Sequence, residues 1–322
     1  MPDLKHSLAI SSSLVPVLED RLYFSIVDSK PTPDVNFHYF TVDEELEYES
    51  FYSDFGPLNL AMLYRYCMVV QRKLKVFGLL SKKRLVHFTA GDYQCRANAA
   101  YLVGSYAIIY CDKSAQEVWQ HLSKAQPPKF IPFRDASIGP STFDLVLPDV
   151  LSAVEKAVKF KWLDFTQFNL VDYEFYEKVE NGDFNWIIPG KFLAFCGPHN
   201  KPRVEDGYPY HSPELYIPYF KEHNVRTVVR LNKKLYDARR FQQAGINHVD
   251  LFFVDGSTPT QAIVQAFIDV SDSVNGAVAV HCKGAMANCC LACLHPYHAF
   301  DTGNIIWFGL LAEWVLIGFS SV

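Results

Sequence analysis

A chain of 322 residues, 49% hydrophobic and 20% charged, has an ordinary globular composition and the length for two domains of about 150 residues each. Its net charge of −5 and pI near 6.1 give no support to nucleic-acid binding, and an aromatic content of 15% argues against long disordered regions. Eight cysteines are scattered along it, and the opening MPDLKHSLAI lacks the basic-then-apolar order of a secretory signal. An intracellular setting with cysteines as thiols is the expectation.

VPVLEDRLYFSIVD (15–28) and NFHYFTV (36–42) carry the β-branched and aromatic residues of strands. Apolar residues then recur at helical spacing over 58–77, with Arg72, Lys73 and Lys75 near the end, where cations suit a helix C-terminus. A strand RLVHFTA (84–90) precedes Gly91-Asp92 and a long apolar helix over 93–110. Ser114 followed by Glu117 marks a capped helix over 114–125, and another spans 148–162.

The second half opens on an acidic amphipathic stretch, NLVDYEFYEKVENGD (169–183), stopped by Asn-Gly. Strand KFLAFCG, helix 212–223, strand VRTVVRL, helix 234–243, strand INHVDLFFVD, helix 258–273 and strand GAVAVHC follow in turn. This alternation predicts a parallel sheet covered by helices, with ligands beyond the strands' carboxyl ends. Arg230, Asp255 and Cys282 are therefore expected at one crevice. LVHFTAGDYQCRANAA in the first half faintly echoes AVHCKGAMANCC in the second, with Phe88 in the slot of Cys282.

His281-Cys282-Lys283-Gly284 is half of a phosphate-binding cysteine motif. A thiolate at a helix N-terminus is acidified by N–H groups that also cradle phosphate oxygens. The full motif needs an arginine six residues after the cysteine and a hydroxyl after that; this chain has Asn288 and Cys289. On those letters alone a buried structural cysteine is the simpler reading. Asp255 lies 27 residues earlier in DGSTP, where it can protonate a leaving oxygen or merely cap the following helix. Asp164, Asp172, Glu174, Glu177, Glu180 and Asp183 make a solvated helix face or, with interleaved Tyr173, Phe175 and Tyr176, a groove for a cationic peptide. Cys290, Cys293, His295 and His298 are crowded for a zinc site. IIWFGLLAEWVLIGF (305–319) is too short for a bilayer span and carries Glu313; no membrane association is expected.

Together DYEFYEKVENGDFNWIIPGKFLAFCGPH, NVRTVVRLNKK, DLFFVDGSTP and GAVAVHCK resemble the cell-division-cycle-fourteen dual-specificity protein phosphatases, over residues 14 to 283. The resemblance implies an α/β chain of two tandem dual-specificity-phosphatase-like domains, with central parallel or mixed sheets and flanking helices. Residues 1–163 would be a non-catalytic domain, 164–180 an acidic linker helix, and 181–322 a catalytic-type domain, incomplete after 283. It also implies Cys282 as nucleophile and Asp255 as general acid, with Lys283 and Gly284 on the phosphate. Glu174 and Glu177 would line a groove for phosphoserine followed by proline and a basic residue. Substrates would be phosphorylated proteins of cell-cycle control, without metal or organic cofactor, in the nucleus, cytoplasm, spindle or centrosome. After Lys283 the family pattern stops at one junction, as splicing, a frameshift or a decayed gene copy would leave it. Losing the arginine costs ~3 kcal/mol of transition-state binding or more, so the alternative is a catalytically dead substrate-binding or decoy variant.

Overall fold

β1 (Val15–Leu18) and β2 (Leu22–Ile26) pair antiparallel across a turn in which Asp20 takes a left-handed φ of 56°. They begin the first of two units into which the chain divides between Phe165 and Thr166. The computed structural model describes residues 14–50, 53–125, 130–134, 139–141, 144–205, 207–254 and 259–282. In the first unit β3 (Phe37–Phe40) and β4 (Arg84–Thr89) complete a sheet of order β1-β2-β4-β3, with β4 parallel to both neighbours.

Among the described residues, four α-helices pack in this unit. α1 (Leu60–Lys73) starts at Asn59, whose side chain accepts the Met62 N–H, and runs on into a wider π-turn over Leu74–Leu80. α2 (Tyr93–Cys111) is apolar all round and buried from Ala97 to Ile108, as a central helix must be. α3 (Ala115–Leu122) has the predicted Ser114–Glu117 capping box, and α4 (Leu147–Lys159) buries the stripe Leu147, Val150, Leu151 and Val154. Gly104 lets α2 approach α4: a Cβ there would come within 2.8 Å of Leu151. A two-residue pair, β5 (Phe133–Arg134) and β6 (Asp144–Leu145), lies between α3 and α4 in sequence.

The second unit opens on α5 (Leu170–Tyr176), followed by a 3-10 turn at Val179–Asn181. The predicted linker helix over 164–180 is thus helical only in part. Asn169 starts it by accepting the Val171 and Asp172 N–H groups, and Gly182, at φ 114°, stops the chain. β7 (Asn185–Ile188), β8 (Phe192–Ala194), β11 (Val225–Arg230), β12 (Asn247–Asp250) and β13 (Ala277–His281) form a sheet of order β12-β11-β13-β8-β7. β9 (Arg203–Glu205) and β10 (Tyr208–Tyr210) make a separate hairpin. The sheet is parallel except for β7, which runs antiparallel at the edge, so the parallel sheet read from the alternation is mixed.

α6 (Pro213–Glu222), α7 (Arg239–Gln243) and α8 (Gln261–Ser273) connect the strands. One apolar cluster contains Phe184, Phe195, Tyr216, Phe220, Tyr236 and Phe241; a second contains Val229, Leu231, Phe267, Val278 and Val280. The helix expected over 234–243 shrinks to α7 because Arg230 takes the Tyr236 carbonyl at 2.9 Å, withdrawing it from helical pairing.

Candidate active site

β13 is buried at every position and flanked by parallel partners on both sides, so its carboxyl end is the sheet's central switch point. Cys282 follows it directly, partly exposed, and packs against the second apolar cluster. In this structure its sulfur is held in a disulfide, a departure from the all-thiol expectation; a thiolate at this position requires the reduced chain. Cys67, Cys95, Cys111 and Cys196 are free thiols.

Parallel register sets Asp250, Arg230 and His281 in one row across β12, β11 and β13. Arg230 does not open toward a ligand. Its side chain is 1% exposed and meets Asp250 fork to fork, Nε to Oδ1 at 2.8 Å and Nη2 to Oδ2 at 3.1 Å. Burial works to raise the Asp250 pKa, but the bonds from Arg230 and Lys234 outweigh it and hold the carboxyl below its ordinary range.

Beside this ion pair runs a hydrogen-bonded chain. His281 Nδ1 lies 3.0 Å from the Cys282 carbonyl oxygen, and its Nε2 lies 2.7 Å from the Tyr236 hydroxyl. The same hydroxyl lies 2.8 Å from His248 Nε2. Burial lowers His281 to about 3 and His248 to about 4, so both imidazoles are neutral near pH 7. A carbonyl only accepts, so His281 carries its proton on Nδ1, and its bare Nε2 accepts from Tyr236. Tyr236 has a single proton, so His248 must donate to the phenol oxygen. Gly197 packs against the same carbonyl, leaving no room for a Cβ.

The first unit carries a comparable strand end with a different outcome. His87 on β4 is buried, lowered to about 3, and bonded to the Tyr66 hydroxyl at 2.9 Å. Phe88, the next residue on β4, is buried. Asp43 Oδ2 accepts from Thr89 Oγ1 and the Ala90 N–H at 3.0 and 3.1 Å, and Asp92 caps α2. A cavity of about 260 Å³ beside this loop is lined by Asp43, Glu47, Asp92 and Cys95. Burial and the two aspartates raise Cys95 to about 11. Carboxylates occupy the donors and the thiol stays protonated, so this loop is unsuited to an anion.

Among the other predicted residues, Glu174 lies on α5 and Glu177 at its C-terminal cap, both partly exposed. Glu177 raises the buried Asp183, which burial and that charge together push up to about 7. Asp255, Lys283, Gly284, Asn288, the Cys290–His298 cluster and the apolar stretch 305–319 lie outside the described residues. Among the described residues no helix is long and apolar enough to cross a membrane, and no His, Cys, Asp or Glu cluster is arranged to hold a metal. Sequence reasoning missed Tyr236, His248, Asp250 and Gly197. His248 and Asp250, two apart on β12, gave the one local signal, a polar alternation at a parallel strand's end.

Comparison with known proteins accounts for both units. Residues 16–157 match the family described as dual specificity protein phosphatase, N-terminal half, and residues 213–298 match the polymorphic toxin system DSP-PTPase phosphatase. The human dual specificity protein phosphatase CDC14A is 50% identical over 305 residues, covering 94% of this chain and 51% of that protein. Human CDC14C is also 50% identical over 305 residues, covering 94% of this chain and 68% of its own. The tyrosine-protein phosphatase cdc-14 of Caenorhabditis elegans is 48% identical over 291 residues, 86% of this chain and 40% of that one. The crystal structure of PTPMT1 is similar over 41% of this chain and 93% of its own, at 18% identity and a TM-score of 0.28. This chain spans about half the length of CDC14A. Alignments covering 94% of 322 residues extend past Lys283, farther than the stretch that carried the resemblance in sequence. The chain belongs to the CDC14 family of dual-specificity protein phosphatases.

Proposed function

We propose that this chain hydrolyses phosphoserine, phosphothreonine and phosphotyrosine in proteins through a cysteinyl-phosphate at Cys282. The supporting observation is the placement of Cys282 at the carboxyl end of the central parallel strand, its carbonyl fixed by His281 and Gly197. In the first step the Cys282 thiolate attacks phosphorus, the phosphorus–oxygen ester bond breaks, and Asp255 gives its proton to the leaving oxygen. In the second, Asp255 takes a proton from water, the oxygen attacks phosphorus, and the sulfur–phosphorus bond breaks to release phosphate. Lys283 and Gly284 serve the phosphoryl group. Glu174 and Glu177 select a basic residue beyond a phosphoserine-proline pair. Substrates of cell-cycle control, met in the nucleus, cytoplasm, spindle or centrosome, fit this reading. So does a division of labour between a non-catalytic domain (1–163), a linker (164–180) and a catalytic-type domain (181–322).

Asn288, six residues after Cys282, favours a second reading, a substrate-binding decoy. Without an arginine there, turnover falls at least ~10²-fold from a complete site. The test is hydrolysis of p-nitrophenyl phosphate by the pre-reduced full chain beside Cys282→Ser. Turnover lost in the variant supports the enzyme. No turnover, with binding of a phosphoserine-proline-lysine peptide that weakens on charge reversal at Glu174 and Glu177, supports the decoy instead.

A further inference from the structure

Three side chains from three segments converge behind Cys282. Tyr236 comes from the turn after β11, His248 from β12 and His281 from β13. We propose that Tyr236 is a positioning residue for Cys282: its one hydroxyl proton, committed to His281, fixes the tautomer that clamps the Cys282 carbonyl, and His248 completes the clamp. This rests on the reading of Cys282 as the nucleophile.

The geometry makes the chain directional. If Tyr236 turned its proton to His248, the bare Nε2 of His281 would face an oxygen lone pair at 2.7 Å. His281 would then have to move its proton to Nε2, and bare Nδ1 would oppose the Cys282 carbonyl at 3.0 Å. Each reversal places two acceptors in contact where water is excluded, a cost that holds the chain in one direction. Tyr236 is itself held. Arg230 bonds its carbonyl at 2.9 Å and lies 4.5 Å over its ring, and Phe241 meets the ring edge-on at 5.6 Å. A phenol donating to Nε2 makes Nδ1–H a stronger donor, and that N–H draws charge from the carbonyl at the foot of the thiolate. The charged and titratable groups acting on His281 are His248, Arg230 and Asp250; Lys234 joins them at His248.

The test reads the thiol directly. Iodoacetamide alkylation of Cys282 is followed against pH by mass spectrometry, on the pre-reduced full chain. The parent gives an apparent pKa below the free-thiol value of about 8.5. Tyr236→Phe keeps the ring and removes the proton; the apparent thiol pKa read from the alkylation profile rises by about one unit, so alkylation slows about tenfold at any pH below the parent's value. In a His281→Asn background, where an amide N–H clamps the carbonyl without help, Tyr236→Phe has no further effect. His248→Leu slows alkylation and His248→Gln, which keeps an N–H, restores it, so the idea stands on a second variant should Tyr236→Phe not fold. Equal slowing by Tyr236→Phe in both backgrounds, or none in the parent, overturns the proposal. An ordinary thiol pKa in the parent overturns it together with the nucleophile reading. A depressed thiol pKa that rises in Tyr236→Phe, without phosphate turnover, upholds the positioning role and removes only the catalytic reading.

Discussion

Gly197 lies so close to the carbonyl oxygen of Cys282 that a Cβ on it would overlap that oxygen and come within 3.1 Å of His281 Nδ1. Both obstacles are parts of the framework rather than flexible ends, so neither can yield cheaply. Gly197→Ala should therefore destabilise the chain by about 1–3 kcal/mol and displace the residue expected to do the chemistry. Urea melts check the first effect. Alkylation of Cys282 checks the second, and an unchanged rate in a folded variant would contradict it.

Arg230 and Asp250 form the pair whose disruption should be felt most. Only the arginine is fully buried; the Asp250 side chain keeps 32% of its exposure. Removing the carboxylate leaves a guanidinium without its counter-charge in the sheet, at a cost of about 3 kcal/mol or more. Asp250→Ala is expected to lower the melting temperature by several degrees or more, whereas replacing the exposed Asp237, paired with Arg239, leaves it nearly unchanged.

Proton uptake by Asp183 and by the buried histidines pulls stability in opposite directions. Asp183 is raised to about 7 when folded, so it adds stability below about pH 4, and this is lost as pH rises toward 7. His87, His248 and His281 are lowered to about 3, 4 and 3. They stabilise the fold above about pH 6.5 and withdraw that stability as pH falls. Three histidines outweigh one aspartate, so acid should destabilise the parent. Asp183→Asn, which suits the left-handed φ of 53°, should raise stability at pH 8 by on the order of 4 kcal/mol. Its advantage should vanish near pH 4, where the parent carboxyl is protonated. Thermal melts across this range test the sign, and a constant gain at every pH would refute it.

Ser114 tests the local rules. Its hydroxyl accepts the Glu117 N–H at 3.2 Å while Glu117 reaches back to the Ser114 N–H at 2.9 Å. Ser114→Ala should cost about 1 kcal/mol, measured by chemical denaturation, with Cys282 reactivity unaffected.

Much of the fold could be read from such local signals. Caps, helical spacing and β-branched runs placed α2, β4, β11 and β13 within a residue or two, because each is decided by neighbours in sequence; α3 starts where its capping box sets it but stops at Leu122, three residues short of the expected end. β7 escaped: Asn185–Ile188 is short, follows the Asn-Gly stop, and gains strand character only by pairing with β8. The pattern INHVDLFFVD predicts a strand to Asp255, but pairing is regular only to Asp250. Beyond it the Leu251 and Phe253 N–H groups still bond to Arg230 and Leu231. Of the three residues expected at the crevice, Arg230 and Cys282 fall among the described residues, each at the end of a parallel strand. An arginine at a strand end looks the same whether it faces a phosphate or a carboxylate on the next strand, so Arg230 was expected in the crevice. Tyr236 and His281 are 45 residues apart, and nothing local announces that one holds the other.

The place of β13 in its sheet also orders events during synthesis. β12 and β11 pair with each other, as do β8 and β7, but the two half-sheets share no hydrogen bond until β13 enters between them. Residues from Asn185 to Asp250 must therefore wait, with strand edges open, for β13 to leave the ribosome. That strand ends one residue before Cys282. Completing the sheet and delivering the cysteine are a single event, so a nascent chain that has not yet reached Cys282 has no closed second unit to hold it.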